Sequence, residues 1–219
     1  MASNILMQNP KFQNGKYYHI LNRGSDKRKI FMDDQDYLRF LISLRLFNST
    51  KEIGSIHNLK LKASDALAKA SDAFNFVEIV AYCLIPNHYH LLLKQKQENG
   101  ISKFMHKIGM GYTNYFNAKQ KRSGSLFQGK FKAFEIKTDG KLWETSFYIN
   151  GNAEIHKIAK ADKWPWSSCP DYLNLRKGNL SVKDIILNDF ESIKEYKKIL
   201  FEYIREKKLW KEEIKKYEA

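Results

Sequence analysis

The sequence predicts an α+β fold in which helices pack on an antiparallel β-sheet. Four apolar or alternating stretches, near residues 16–22, 76–84, 88–95 and 126–136, predict strands. The second and third are separated by only Ile85-Pro86-Asn87, which indicates a tight antiparallel pair. Stretches with apolar residues at helical spacing lie between the other strands and favour a sheet with packed helices.

The first predicted strand leads into a basic loop. KYYHIL at residues 16–21 forms the strand, and Gly24 permits a turn after it. Phosphates would be well placed against the cations of this loop. A solvated charged loop without a ligand is an equally good interpretation. The cations are Arg23, Lys27, Arg28 and Lys29.

The next two segments predict a core helix and an insertion. Asp33 or Asp34 can cap a helix that runs through Phe47, and its apolar stripe indicates packing against the core. From about 48 to 75 the apolar period weakens, which predicts a variable insertion ahead of the paired strands.

Two histidines open the third strand. Side chains alternate across a strand, so His88 and His90 point to one face and Tyr89 to the other. Neutral imidazole is a common ligand of divalent cations, and the pair therefore indicates a metal site. The alternative is two inert histidines at the end of a strand.

A second helix, from Gly100 or Ser102 to about Lys121, leads to another strand. The strand at 126–136 alternates aromatic and polar residues and would present Lys130 and Lys132 on one face. Cations beside aromatics are typical of surfaces that bind single-stranded nucleic acid, although a half-buried strand with a solvated face is the simpler interpretation. Further cations, which we predict to contact DNA, end the preceding helix: Lys121 and Arg122.

The last predicted helix of this region runs from Lys141 to about Asn152, with Asp139 as its cap. Tyr148 and Asn152 are four residues apart and share one helical face. A phenol can attack a phosphodiester when a metal neutralises charge, and an amide oxygen can be a third ligand. Gly151 weakens the last turn.

Charge and composition indicate a polyanionic partner. The chain of 219 residues has 38 Lys and Arg against 24 Asp and Glu, a formal charge of +14. Its two cysteines, Cys83 and Cys169, form no disulfide framework or zinc spacing, which suggests a reducing compartment. We find neither a transmembrane run nor a signal peptide, and expect an intracellular, soluble protein without a membrane partner.

Several separated motifs carry a resemblance to a known family. They are YYHILNRGSDKRKIF, AYCLIPNHYHLLLK, YTNYFNAKQKRSGSLFQGKF and YINGNAEIHK with a WPWSSCPDY tail, and they span Tyr17 to Tyr172. In their order and spacing the chain resembles the single-tyrosine transposases of the HUH class. These comprise insertion-sequence transposases and relatives associated with repetitive extragenic palindromes.

The resemblance implies a fold, a site and a chemistry. The fold would be a ferredoxin-like, RRM-like sandwich with helices on one face of the sheet. His88, His90 and Asn152 would hold Mg or Mn, and Tyr148 would form a covalent 5′-phosphotyrosine with single-stranded DNA near hairpins or palindromes. Where relatives have proline after the asparagine, this chain has Ala153. A shifted alignment would pair Asn150 with that asparagine and put Ser146 at the nucleophile position, but the unshifted one keeps Ile149 and His156 in register with relatives.

The domain prediction is a catalytic domain at 1–175 and a basic helical extension at 176–219. We expect the protein in the cytoplasm, associated with the nucleoid, and the sequence is compatible with a monomer or a homodimer. The function predicted is that of a metal-dependent DNA endonuclease and strand transferase. The alternative is a catalytically silent module that binds single-stranded nucleic acid. The remaining histidines are expected to be ordinary packing or surface residues: His19, His57, His106 and His156.

Overall fold

A computed structural model of the protein describes residues 9–50 and 75–217. The predicted insertion at about 48–75 therefore lies almost entirely outside the described residues, as does His57. Two hydrogen bonds join the residues on either side of this segment. The Asn48 side-chain amide donates to the Val77 carbonyl at 2.8 Å and accepts from the Val77 N–H at 3.0 Å.

A four-stranded antiparallel sheet forms the centre of the fold. Its strand order is β2-β3-β1-β4, and the predicted α+β fold is confirmed. The strands are β1 (Tyr17–Arg23), β2 (Val77–Ile85), β3 (His88–Gln95) and β4 (Lys132–Ile136).

Six α-helices surround this sheet in the described part of the chain. Three long helices lie before residue 160, and the last helix is a long amphipathic one at the C-terminal end. Their bounds are α1 (Asp34–Leu46), α2 (Gly100–Lys119), α3 (Asp139–Ile155), α4 (Cys169–Tyr172), α5 (Asp184–Leu187) and α6 (Ile193–Tyr217).

The helices cover both faces of the sheet, whereas we expected them on one. Helices α1 and α2 pack against the face that carries Tyr18, Tyr89 and Leu91. Helix α3 packs on the opposite face, mainly over β2, and α6 packs on α3. The second layer arises because β2 and β3 are apolar on both faces, as strands covered from both sides must be.

The fourth strand is shorter than predicted. It begins at Lys132, because the segment before it pairs with the end of β1 and the loop that follows. Ser25 N–H donates to Leu126 O at 3.0 Å, and Gln128 N–H donates to Arg23 O at 2.8 Å. Gly129, at φ +75°, then turns the chain. Lys130 thus lies before the strand and does not share a strand face with Lys132, which corrects the prediction.

One further local prediction needs correction, and two others agree with the structure. Thr138, not Asp139, caps α3, because its hydroxyl accepts from the Lys141 N–H at 3.2 Å. The turn expected at Gly24 is present as the short 3-10 helix Ser25–Lys27, in which Asp26 and Lys27 have positive φ. Gly24 permits a close approach there, since a Cβ on it would clash with Arg28 O. Asp33 caps α1 as predicted, accepting from Asp36 N–H.

Candidate active site

Tyr148 and Asn152 project from α3 toward β3, one turn apart on the helix. The Tyr148 ring meets the His90 ring edge-on, with 5.4 Å between centroids. Asn152 is fully buried, and Tyr148 is half-buried. The helix therefore puts the two side chains one turn apart, as the separation of four residues predicts, and its docking on the sheet brings Tyr148 to His90.

His88 and His90 lie on one face of β3, with ring centroids 5.0 Å apart. His88 Nδ1 lies 2.7 Å from Asn87 Oδ1, and because a carbonyl oxygen only accepts, this nitrogen carries the proton. His90 Nδ1 lies 2.8 Å from His19 Nε2. When His90 Nδ1 donates in that bond, both imidazoles present the lone pair of Nε2 to the site.

Two histidines that the sequence did not mark as functional belong to this cluster. His19, on β1, bonds His90 and lies 6.1 Å from the Tyr148 ring centroid. His156, just after α3, lies 5.4 Å from the His88 ring centroid and 3.2 Å from Lys211 Nζ. Their positions are compatible with the expected packing and surface roles, since His19 is partly buried and His156 is exposed, but the fold brings both to the histidines of β3. His106 is exposed on α2, as expected.

Burial keeps the imidazoles neutral. It lowers the pKa of His90 well below the usual range, with His19 and His88 adding to the effect. Burial also lowers the pKa of His19 and of His88 to about 4. The Tyr148 pKa is raised by burial, and the nearby Asn152 amide opposes that rise. At neutral pH the site therefore holds neutral imidazoles and a protonated phenol.

Three polar atoms in the site are buried without a hydrogen-bond partner among the described residues. They are His90 Nε2 and both amide atoms of Asn152. Unpaired buried polar atoms cost free energy and call for an explanation, and an imidazole nitrogen and an amide oxygen are suitable donors to a divalent cation. The residues present therefore fit a bound cation. Within the described ranges no three His, Cys, Asp or Glu side chains converge as a metal site, so the fit depends on Asn152.

The residues of the shifted alignment lie elsewhere. Asn150 Nδ2 donates to Tyr196 Oη at 2.8 Å, and Asn150 Oδ1 accepts from Ser168 Oγ at 2.6 Å. Ser146 Oγ lies 3.3 Å from the same Tyr196 hydroxyl. Both side chains are fully buried in polar contacts of α3 with its neighbours. The histidine cluster lies by Tyr148 and Asn152 instead.

The cations predicted to bind DNA divide between the two sides of the sheet. Arg23 is paired with His88 across β1 and β3, and Lys132 with Leu21 across β4 and β1, so both lie on the histidine face. Lys121 and Arg122 follow α2, which packs on the other face, and Arg122 bonds Asn117 Oδ1 and Ser125 O there. The rest are exposed in the loops beside β1 and β4: Lys27, Arg28, Lys29 and Lys130.

The two cysteines lie in the interior and are not bonded to each other. Cys83 and Cys169 are both free and buried. In the described part of the chain no helix is long and apolar enough to cross a membrane.

An antiparallel sheet whose histidine pair faces a tyrosine on a packed helix is the arrangement expected of single-tyrosine HUH transposases. The family model described as "Transposase IS200 like" matches residues 13–152, and the chain belongs to this family. Membership in a transposase family supports a DNA-processing enzyme.

A solved structure supports the same fold. The chain is 14% identical to a REP-associated tyrosine transposase solved bound to a REP hairpin, with a TM-score of 0.51. The match covers 77% of this chain and 84% of the other. Curated protein sequences contain no significant match to the chain.

Proposed function

We propose that the protein is a metal-dependent, single-stranded DNA endonuclease and strand transferase. The observation that carries this proposal is the position of Tyr148 beside His90, whose Nε2 is buried and unpaired, with Asn152 one turn from Tyr148 on the same helix. A nucleophile beside unpaired metal-ligand atoms suits phosphodiester chemistry better than binding alone.

The cation ligands would be His88, His90 and Asn152. A divalent cation, Mg²⁺ or Mn²⁺, held there would stabilise the charge that develops on the phosphate. Asn87 would fix the tautomer of His88, and His19 that of His90, each by accepting a hydrogen bond from Nδ1. The low pKa of each imidazole keeps it neutral at neutral pH, so that with the proton on Nδ1 the Nε2 lone pair stays available to a cation.

Tyr148 would perform the covalent step. Its Oη attacks the phosphorus and loses its proton, while the bond from phosphorus to the 3′ oxygen breaks and that oxygen gains a proton. The product is a 5′-phosphotyrosine and a free 3′ hydroxyl. Because the phosphotyrosine keeps the energy of the broken linkage, another 3′ hydroxyl can reverse the step and exchange strands without a nucleotide cofactor.

The substrate would be single-stranded DNA next to a hairpin or palindrome. The scissile phosphate must reach a half-buried tyrosine, which a paired strand would obstruct. The similar transposase was solved with a REP hairpin, and the net charge of +14 suits a DNA partner. We retain as proposals the catalytic domain at 1–175 with its extension, and a cytoplasmic, nucleoid-associated location.

Covalent capture tests this function. The protein is incubated with Mn²⁺ and labelled single-stranded DNA that carries hairpins, and a DNA adduct is sought on a denaturing gel. We expect an adduct with the native protein, and none after Tyr148→Phe or with a chelator. The alternative, a catalytically silent binding module, would bind the hairpin and form no adduct across several cognate sequences.

Ser146→Ala is the matched control for the nucleophile. It removes the hydroxyl that the shifted alignment would use and should leave adduct formation intact. An adduct that persists in Tyr148→Phe and disappears in Ser146→Ala would reverse the assignment of the nucleophile.

A further inference from the structure

We propose that Phe134 stacks a nucleobase of the strand whose phosphate is presented to Tyr148. Phe134 is the exposed aromatic of a surface that we call the open face, formed by Leu21, Arg23, Lys132 and Phe134. This inference rests on the proposed function, because it assigns a contact of the same substrate.

The open face continues the histidine face of the sheet. Phe134 is paired with His19 across β4 and β1, and Leu21 with both Lys132 and His90. Directly paired residues of antiparallel strands point to the same side. Helix α3 packs mainly over β2, at the far edge of the sheet. It also reaches His19 and the end of β4 at Ile136, but leaves Arg23, Lys132 and Phe134 exposed on this face.

Phe134 is unusually exposed for its position. It lies in the middle of β4, yet 42% of its surface is accessible, while its strand neighbours Ala133 and Ile136 are buried. Exposing an aromatic ring on a strand forgoes burial energy, and a flat aromatic ring is what a bare nucleobase stacks on.

Ring contacts connect Phe134 to the nucleophile. The centroids of Phe134 and His19 are 6.3 Å apart, and those of His19 and Tyr148 are 6.1 Å apart. A base on Phe134 therefore belongs to a nucleotide close to the scissile phosphate.

The charges of the open face suit a DNA backbone. Lys132 and Arg23 are exposed on it, and Lys132 has no ion-pair partner among the described residues. Strands β1, β3 and β4 direct no Asp or Glu to this side, since Glu135 alternates to the other. An aromatic ring between cations, continuous with the catalytic tyrosine, is typical of a single-stranded nucleic-acid surface.

The test separates bases from phosphates. The probe is a fluorescent hairpin with a single-stranded oligothymidylate extension, and the comparison probe has an abasic extension of equal length. Binding is measured by fluorescence anisotropy without divalent metal, so cleavage is not needed. Phe134→Ala should weaken binding of the thymidine probe roughly 5- to 150-fold, and leave the abasic probe unchanged.

Control variants complete the test. Phe134→Tyr should retain binding, and Lys132→Ala should weaken both probes. Leu175→Ala removes a comparably exposed apolar side chain outside the site and should change neither. Unchanged thymidine binding in Phe134→Ala, or an equal loss on both probes, would overturn the proposal.

The outcome is independent of cleavage. If native protein forms no adduct with any hairpin but shows the base-dependent effect at Phe134, the stacking assignment stands and the catalytic proposal fails. If adducts form and Phe134→Ala binds like the native protein, the catalytic proposal stands and this one fails.

Discussion

At the scale of single residues, the hydrogen bond between His19 and His90 organises the site. It joins two strands that are neighbours only in the folded sheet, at 2.8 Å, and leaves His90 Nε2 directed into the site. A metal-binding histidine commonly donates its second ring N–H to an acceptor, which sets its tautomer and orientation. We therefore expect His19 to be a positioning residue.

Replacing His19 tests that role through metal binding itself. His19→Phe keeps a ring and removes the acceptor, so we expect Mn²⁺ affinity to fall by about 10- to 100-fold. Mn²⁺ binding can be measured by calorimetry or by the electron paramagnetic resonance of the free ion. His106→Ala, an exposed histidine on α2, is the control and should bind Mn²⁺ normally. An Mn²⁺ affinity of His19→Phe equal to that of the native protein would show that His90 does not need its hydrogen bond to His19.

At the scale of elements, the packing of α6 explains why α3 contains a glycine. A Cβ on Gly151 would lie 2.5 Å from Ile204 Cγ1, so α6 can approach α3 closely only at a residue without a side chain. Ala153, two residues further on, is also fully buried in this layer. The glycine that weakens α3 when the helix is considered alone is thus explained by its contact with the C-terminal helix.

Gly151→Ala should destabilise the protein despite the better helix propensity of alanine. Overpacking at a helix contact costs about 1–3 kcal/mol, which exceeds the gain in propensity. The free energy of unfolding in urea is the measurement. Adding Ile204→Ala should relieve the clash in a double variant.

Gly109→Ala is the matched control on α2. Nothing lies within 4 Å of the position that the alanine methyl would take, so alanine should stabilise the helix by about 0.5–1 kcal/mol. If Gly151→Ala and Gly109→Ala changed the free energy of unfolding equally, the close approach of α6 would not be the reason for Gly151.

At the scale of the whole molecule, the formal charge of +14 sets how binding responds to salt. Neutralising DNA phosphates releases counterions, so affinity falls as salt rises. Arg23 and Lys132, on the histidine face, would contribute to this salt dependence. Lys121 and Arg122, at the end of α2, lie on the other side of the sheet and would not. Arg122 is held there by bonds to Asn117 and Ser125, which close the end of that helix.

Salt titrations can therefore locate the DNA path. Lys132→Ala should reduce the slope of log affinity against log salt by about 0.7, the value for one phosphate contact on a single strand. Lys103→Ala removes an exposed cation from α2 and should leave the slope unchanged. A reduced slope in Lys103→Ala and an unchanged slope in Lys132→Ala would indicate that DNA binds on the side of the sheet covered by α1 and α2.

The sequence by itself determined the features that repeat with a local period. Alternation along β3 placed His88 and His90 on one face, and the four-residue spacing put Tyr148 and Asn152 on one side of α3. Strand and helix positions also followed, because apolar periodicity reflects which side of an element is buried.

Only the tertiary structure decided which residues meet across elements. The joining of His19 to His90, of His156 to His88 and of Phe134 to His19 depends on strand order, register and helix docking, none of which has a local period. The same reason explains the error at Lys130, where pairing with a distant loop displaced the start of β4. Gly151, a defect when read along one helix, is accounted for by a second helix packed against it.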